Sequence, residues 1–591
     1  MTIFNVLSMI GGLALFLFGM QIMGESLTKA SGGRLESILD KLTSTRFYAV
    51  VLGAGVTALI QSSSAMTSLV VGFVNSGIMK LSQAAGVIMG ANIGTTVTAW
   101  LLSLVGLQGE NIFIQLCKPE SFTPVLALVG IIFLKFSKKD KLHSIGNILL
   151  GFAVLMFGLS TMSKAVAPLA EVPEFTAILT HFKNPILGMI AGLALTAIIQ
   201  SSSASIGILQ ALCITGVVDY RMVIPIIIGQ NIGACITALL SSVGASKNAR
   251  RAALIHLYFN LTRAVVFMAV FYTLNAFLHF GFMDHSATAL GIAFIHTTYN
   301  VVTVLLFLPL TNGLIKLTYL TIPEDKEEPV KQEEAPAFQA LDVRFLNTPP
   351  FATAQCKAVA NKMATLSRDA LFYSMELLQK YDKKKAILVK ELETTVDQYE
   401  DELGNYLVKL SSRNLTEKDS LTISMLLHCI GDFERISDHA VNISQVALEM
   451  SEKEQKFSKK AEEEIATFSN LIRDIVNTSV QVFETEDVVL AREVEPMEEV
   501  ADDLNEEIKK RHVKRLRKGK CTIELGIALS DITTNFERVA DHCSNIAISL
   551  IQIPDDVYGS HEYVEQLERG DESHYHESLL KYSEKYMLPS K

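Results

Sequence analysis

The chain has 591 residues, 49% of them hydrophobic, and a formal net charge of −10 at pH 7. That length implies more than one domain, and the acidic balance argues against a nucleic-acid partner, which calls for clustered basic residues. Long apolar runs fill Met1 to about Thr321, whereas Glu, Lys and Asp dominate from about Pro323 onward. The first part is suited to lipid and the second to water.

Residues 4–18 are apolar, with no basic stretch before them and no A-x-A site after them. They read as an uncleaved first membrane helix. Full spans are predicted at about 4–24, 82–106, 121–137, 143–163, 221–243, 252–278 and 287–317. Two further apolar stretches, 47–78 and 184–217, each hold the same five residues at the centre, QSSSA at 61–65 and at 200–204. Each half of such a stretch has about 14 residues, roughly 21 Å of helix, against a hydrocarbon core of about 30 Å. A re-entrant hairpin that turns at QSSSA fits that length. Its non-helical turn must be buried in protein or line a polar cavity.

With the hairpins re-entrant, the loops on the side reached after the first span carry 12 Lys and Arg, and those on the other side carry 4. The positive-inside rule makes the richer side cytoplasmic. The N-terminus is then outside, and the hydrophilic half is cytoplasmic. Seven scattered cysteines (Cys117, Cys213, Cys235, Cys356, Cys429, Cys521, Cys543) form no CxxC pair. That opposes a zinc ribbon or disulfide framework and fits a reducing cytosolic part.

The two QSSSA copies lie 139 residues apart, and the same offset relates GANIGTTVTA (90–99) to GQNIGACITA (229–238). It also pairs Phe18-Gly19 with Phe157-Gly158, Gly53 with Gly192, and Gly77 with Gly216. This is an internal repeat. Three crossings separate equivalent points, so the second copy is expected to be inverted and the two tips to meet near the midplane. That is the pattern of secondary transporters.

At each tip a short helix starts after the turn. Its free N–H groups and three hydroxyls suit a tetrahedral oxyanion. The same hydroxyls and the amide carbonyls are hard oxygen ligands for a small cation. Asn92 and Asn231 follow in the next helix of each repeat, with Thr95, Thr98 and Thr237 nearby. No Asp or Glu occurs from Phe47 to Gly109, from Phe175 to Val218 or from Arg221 to Met283. Proton relays use intramembrane carboxylates or histidines. An uncharged core instead favours sodium as the companion of an anion, although His256 and His296 keep proton coupling open. Ser-rich patches also act as helix–helix glue, and the His-Asn pairs of HLYFN (256–260) and HTTYN (296–300) fit packing or gating. Arg263 lies inside a span, facing either the anion path or carbonyl groups.

The paired QSSSA, the GxNIGT-like stretches and the HxxFN-like helix resemble the bacterial type II sodium/phosphate cotransporter family over residues 1–320. The resemblance implies sodium-driven uptake of inorganic phosphate across the bacterial cell (inner) membrane. It assigns phosphate to Ser62, Ser63, Ser64, Ser201, Ser202 and Ser203. Sodium falls to Gln61 and Gln200 and to hydroxyls of the next helix, Thr95, Thr98 and Thr237; Asn92 and Asn231 are added as sodium ligands from the residue reading above. Position 234, opposite Thr95, is Ala, so the sodium set is not fully two-fold.

Residues 321–345 read as a charged, Pro-containing linker. Amphipathic helices are predicted at about 351–381, 385–411, 417–450, 457–484, 486–516 and 520–552. GDFERISDHAVNIS (431–444) matches TNFERVADHCSNIA (534–547) at an offset of 103, so two three-helix units are implied. This FERxxDHxxNI pattern resembles PhoU, the phosphate-regulatory protein, across 346–552. In that family acidic clusters bind a divalent or iron-type metal. Here that implies Glu434, Asp438, Glu537 and Asp541, with Asp397 and Asp502 behind them. The bland alternative is a solvated face paired with Arg435 and Arg538. The tail, 553–591, is charged and has no assigned fold.

The expectation is an all-α, multi-pass transporter domain (1–320). Repeat one spans about 4–137, repeat two about 143–278, and a last helix 287–317. A cytoplasmic PhoU-like domain follows. Sodium is the expected coupling ion. The expected partners are inorganic phosphate, the bilayer, a cytosolic regulatory protein and a second copy of the chain. A phosphate receptor without turnover and a phosphate exporter are the rival readings. No P-loop, activated nucleophile or metal-hydrolase signature points to an enzyme.

Overall fold

The computed structural model describes residues 3–31, 45–106, 118–137, 139–168, 181–324, 340–552 and 572–589, with the single positions 115 and 172. The described residues are helical, with no strand beyond one isolated bridge between Asp219 and Ser286. They fall into two compact units. The first holds the described residues up to 324 together with Asp342–Phe351, and the second holds those from Ala352 onward.

In the first unit the helices are α1 (Ile3–Ser31), α2 (Arg46–Ile60), α3 (Ser63–Asn75), α4 (Leu81–Ser103), α5 (Pro119–Phe136) and α6 (Asp140–Val166). They continue with α7 (Pro185–Ile199), α8 (Ser202–Cys213), α9 (Tyr220–Gly233), α10 (Cys235–Ser241), α11 (Lys247–Leu278), α12 (Ala289–Phe307) and α13 (Thr311–Thr321). Among the described residues seven helical stretches are long and apolar enough to cross a membrane. The pairs α2–α3 and α7–α8 are not. Their 12 to 15 residues reach roughly 18–22 Å, well short of a bilayer core. The second arm of each pair is enclosed: Met66–Val74 of α3 and Ser202–Ala211 of α8 are buried throughout. The first arms show apolar side chains outward, among them Phe47, Val51, Ile190 and Ile198.

The offset of 139 holds in three dimensions. Gly77 and Gly216 both sit at φ +74°, which a side chain rarely adopts. Gly90 lies against the Val50 carbonyl and Gly229 against the equivalent Met189 carbonyl, so close that neither position has room for a Cβ. These contacts seat α2 on α4 and α7 on α9. The equivalent helices α1 and α6 cross antiparallel, Gly12 meeting Gly158 and Gly19 meeting Gly151.

Two predicted spans are interrupted. The 221–243 span breaks at Ala234 between α9 and α10, where repeat one has Thr95 in an unbroken helix. The expected last helix, 287–317, is two helices. Pro309 lies in the gap between Phe307 and Thr311, because proline lacks an N–H and its ring collides with the preceding turn.

The expected linker, 321–345, is also corrected in part; 325–339 lie outside the described residues. Asp342–Phe351 belong to the first unit, with a short 3-10 turn at Val343–Asn347. Asp342 Oδ1 caps that turn through the Arg344 amide (2.9 Å), and its Oδ2 accepts from Asn75 Nδ2 at the end of α3 (2.7 Å). Arg344 Nε donates to the Ser241 carbonyl at the end of α10 (2.7 Å). Phe345 is fully buried against Gly72 and Phe73. The segment fastens hairpin one to α10.

The second unit contains α14 from Ala352 onward (Pro349–Gln379), α15 (Lys383–Ser411), α16 (Glu417–Glu452), α17 (Lys459–Thr485), the short α18 (Val488–Ala491), α19 (Val494–Arg517) and α20 (Ile523–Gln552). The repeat at offset 103 makes reciprocal contacts where α16 meets α20. His439 Nδ1 bonds Asn535 Oδ1 (2.7 Å), and the equivalent His542 Nδ1 bonds Asp432 Oδ1 (2.9 Å). The tail has a fold after all in its described part: α21 (Glu572–Lys585) docks on this unit. Its Tyr582 hydroxyl donates to Glu493 (2.7 Å), and Lys585 pairs with Asp474 (2.6 Å). Buried Tyr582 and Tyr586 seat it, each with its hydroxyl on a carboxylate that a lysine of the same helix also meets.

Candidate functional site

The two hairpin tips are the same local structure. Gln61 and Gln200 each end the incoming helix in the left-handed region, at φ 58° and 57°. Glycine is the usual residue there, so a side chain is kept at some cost in strain. Ser62 and Ser201 are the N-caps of α3 and α8. Their hydroxyl oxygens accept from the amides of Ala65 and Ala204, both at 3.2 Å. A serine that accepts in this way still has its own O–H to donate. Ser63, Ser64, Ser202 and Ser203 form the first turns, where backbone N–H groups have no partner within the helix. Each tip therefore offers an array of donors backed by a positive helix end.

The tips differ in their surroundings. Gln61 is buried and its Oε1 accepts from Thr98 Oγ1 of α4 (2.8 Å). Gln200 is exposed, and the hydroxyl of Thr237, the counterpart of Thr98, is buried without a partner among the described residues. The hydroxyls of the equivalent Thr57 and Thr196, just before the tips, are likewise unpartnered. Thr95 Oγ1 donates to the Ala91 carbonyl of its own helix (2.9 Å).

Asn92 and Asn231 meet at one guanidinium. Arg263 of α11 is fully buried. Its Nη2 donates to Asn92 Oδ1 (2.9 Å), Asn231 Oδ1 (3.0 Å) and Asn260 Oδ1. Its Nη1 donates to Asn300 Oδ1 (2.8 Å) and Thr303 Oγ1 (3.4 Å). The rings of Phe259 and Tyr299 lie 4.7 and 4.9 Å from the guanidinium carbon. All four asparagines spend their amide hydrogens alike, on the carbonyl four residues earlier: Ile88, Ile227, His256 and His296. The side-chain oxygens of Asn92 and Asn231 thus face a cation that is already there, which sets them apart from the hydroxyls at the tips. His256 and His296 are buried on the same two helices as Asn260 and Asn300.

In the second unit, Glu434 and Asp438 lie along Arg435, and Glu537 and Asp541 along Arg538, at 3.5–4.0 Å. A tighter acidic group is Glu498, Asp502 and Asp541, whose oxygens lie within 4.8 Å of one another. Burial, with Glu495, Asp502 and Asp541 adding negative charge, pushes the Glu498 carboxyl up to about 9. Asp397 lies on α15 near Glu400, whose carboxyl burial and two neighbouring aspartates raise. A hard divalent cation would suit the trio of oxygens on α19 and α20.

Residues 15–164 and 161–295 match the Na+/Pi-cotransporter family, and residues 360–447 and 465–550 match the PhoU domain. YqeW of Bacillus subtilis (strain 168), an uncharacterised protein, is 30% identical over 311 residues, covering 52% of this chain and 95% of that one. The chain belongs to the Na+/Pi-cotransporter family and carries two PhoU domains. A relative matched along its whole length is YjbB of Escherichia coli (strain K12), a proposed inorganic phosphate export protein, 24% identical over 565 residues, 95% of this chain and all of that one. The rat sodium-dependent phosphate transport protein 2A is 37% identical over 100 residues, 16% of each chain. Crystal structures of PhoU from Pseudomonas aeruginosa and Streptococcus pneumoniae each align with 36% of the chain at 20% and 16% identity and a TM-score of 0.33. It is a membrane protein of phosphate transport.

Among the residues of this Na+/Pi-cotransporter relative, sequence reasoning missed three things. Arg263 was noticed, but not that it gathers asparagines from both repeats. Glu498 went unnamed although it stands four residues before Asp502, the spacing that places two carboxylates on one helical face. The Asp342–Phe351 segment was divided between the expected linker, 321–345, and the PhoU-like domain expected from 346, its one signal being Phe345 and Leu346 at the end of a charged stretch.

Proposed function

We propose that this chain moves inorganic phosphate across the bacterial cell membrane together with sodium, by alternating access between two inverted repeats. The two tips are read as the phosphate ligands, through the hydroxyls of Ser62, Ser63 and Ser64 and of Ser201, Ser202 and Ser203. Gln61, Gln200, Thr95, Thr98 and Thr237 are read as the sodium side. The supporting observation is that both tips share one cap geometry, residue for residue, in stretches of sequence without Asp or Glu (47–109 and 175–218). The antiparallel crossing of α1 and α6 supports the inverted reading, since the offset makes them equivalents. The PhoU-like unit is read as a cytoplasmic regulator, and a metal on its acidic trio as the regulator's cation.

Direction follows from coupling. At about 100 mV, inside negative, each charge moved across the membrane is worth about 2.3 kcal/mol. A phosphate dianion moving alone is therefore driven out, whereas three or more co-bound sodium ions reverse the sign and draw it in. Import is the first reading. The full-length likeness to a protein named for export favours export as the second. The test is radiolabelled phosphate flux through the full chain in liposomes, in sodium and in choline, with the potential clamped at either sign. Sodium-dependent inward flux supports import. Flux that ignores sodium and follows the potential supports export. No flux with saturable phosphate binding identifies a receptor instead.

A further inference from the structure

Arg263 raises a problem that the transport reading leaves open. Its guanidinium is fully buried, and every acceptor it has is a neutral oxygen: four amide carbonyls and one hydroxyl. Its Nε–H has no partner. Among the described residues no carboxylate is paired with it, and the sequence has no Asp or Glu between Arg221 and Met283 or between His285 and Pro323. A membrane interior tolerates an ionised group when it is paired or when it serves an ion path. Here both terminal nitrogens are hydrogen-bonded, but no opposite charge faces them. A full positive charge is left at the point where the two repeats meet.

On the transport reading above, we propose that Arg263 is a fixed counter-charge that favours the anion and disfavours the cations, acting through space and not as a direct ligand. Two aromatic faces and four amides enclose the guanidinium, so a phosphate oxygen does not reach it. Asn92 and Thr98 are six residues apart on one helix, about 9 Å along the axis, and Thr98 holds the tip residue Gln61. The tip is thus about 10 Å from the charge. At that distance and an effective dielectric of about 20, one unit charge changes the affinity for another about fifteenfold. The sign is opposite for the two solutes. The guanidinium raises affinity for phosphate and lowers it for sodium, so fewer sodium ions are needed to neutralise the load.

The test uses the full chain in detergent and in liposomes. Sodium binding without phosphate is read from the single tryptophan, Trp100, whose indole donates to Thr297 (2.8 Å) two residues beyond Thr98. Phosphate binding is read with radiolabelled inorganic phosphate. Arg263→Gln is expected to weaken the phosphate dianion roughly 200-fold, about fifteenfold for each of its charges, and to tighten sodium about fifteenfold. Arg263→Lys, which keeps the charge, is expected to stay within a few-fold of wild type. Asn300→Asp neutralises the charge in place and is expected to copy Arg263→Gln, which covers the case in which Arg263→Gln does not fold. Loss of both affinities together, or no change in either, overturns the proposal and leaves Arg263 as a packing hub. A wild-type protein that binds no phosphate overturns the transport reading instead, and that outcome is visible before any variant is made.

Discussion

Ser62 has two duties that substitutions can separate. Its oxygen caps α3 by accepting from the Ala65 amide, and in the proposed site its O–H donates to phosphate. Glycine is nearly as good a cap, at a cost of a few tenths of a kcal/mol, but has no hydroxyl. Ser62→Gly is expected to leave thermal stability almost unchanged and to lose one hydrogen bond to a charged ligand. That bond is worth about 1.5–3 kcal/mol, or roughly 10- to 150-fold in apparent phosphate affinity. Aspartate caps as well as serine and suits the positive helix end, yet it sets a carboxylate about 4 Å from the anion. At an effective dielectric of about 20 that is about 4 kcal/mol of repulsion for each charge on the anion, so Ser62→Asp is expected to cut uptake at least about a thousandfold in a folded protein. Ser201→Gly and Ser201→Asp are expected to behave alike, because its cap has the same length. The assay is radiolabelled phosphate uptake into liposomes beside thermal unfolding in detergent. If folded Ser62→Asp transports within tenfold of wild type, the tip does not hold the anion.

Two more outcomes concern the regulator and its attachment. Folding raises the Glu498 carboxyl from its ordinary value to about 9, so its contribution to stability is full below about pH 4.5 and is lost as pH rises toward 9. Glu498→Gln is therefore expected to raise the melting temperature at pH 8–9 and not at pH 4, and a divalent cation to stabilise wild type at pH 8 but not the variant. Equal melting curves at pH 8 would show that the carboxyl is not strained there. Phe345→Ala is expected to cost about 3–5 kcal/mol in the first unit, measured by calorimetry. Arg344→Ala, which cuts the bond to the Ser241 carbonyl and spares the core, is expected to raise the uptake rate if the segment restrains hairpin one; an unchanged rate removes it from the cycle.

What could be read from the sequence was local or periodic. QSSSA showed because hydroxyls in an apolar run are costly, and its offset of 139 exposed the repeat. The short arms followed from length alone, and Gln61 and Gln200 turn where they were expected to. Of the Arg263 cluster only Asn260 lies at helical spacing; the other asparagines are 32, 37 and 171 residues away, and no spacing rule joins them. The break after Phe307 was announced by Pro309 but was overridden by hydrophobicity. The Asp342–Phe351 segment and α21 were lost to composition, since a few buried aromatics can anchor a stretch whose average character is polar.

The unequal tips have one further consequence. One glutamine is tucked under a threonine and its twin is bare, within a chain whose halves share a single local design. On the alternating-access proposal, exchanging the two arrangements generates the opposite end of the work cycle without any new conformation being invented. The bias between those ends must then reside where the halves disagree, at Thr95 against Ala234, Ala91 against Gln230 and Val71 against Gln210. Making those pairs alike should bring the two ends toward equal occupancy.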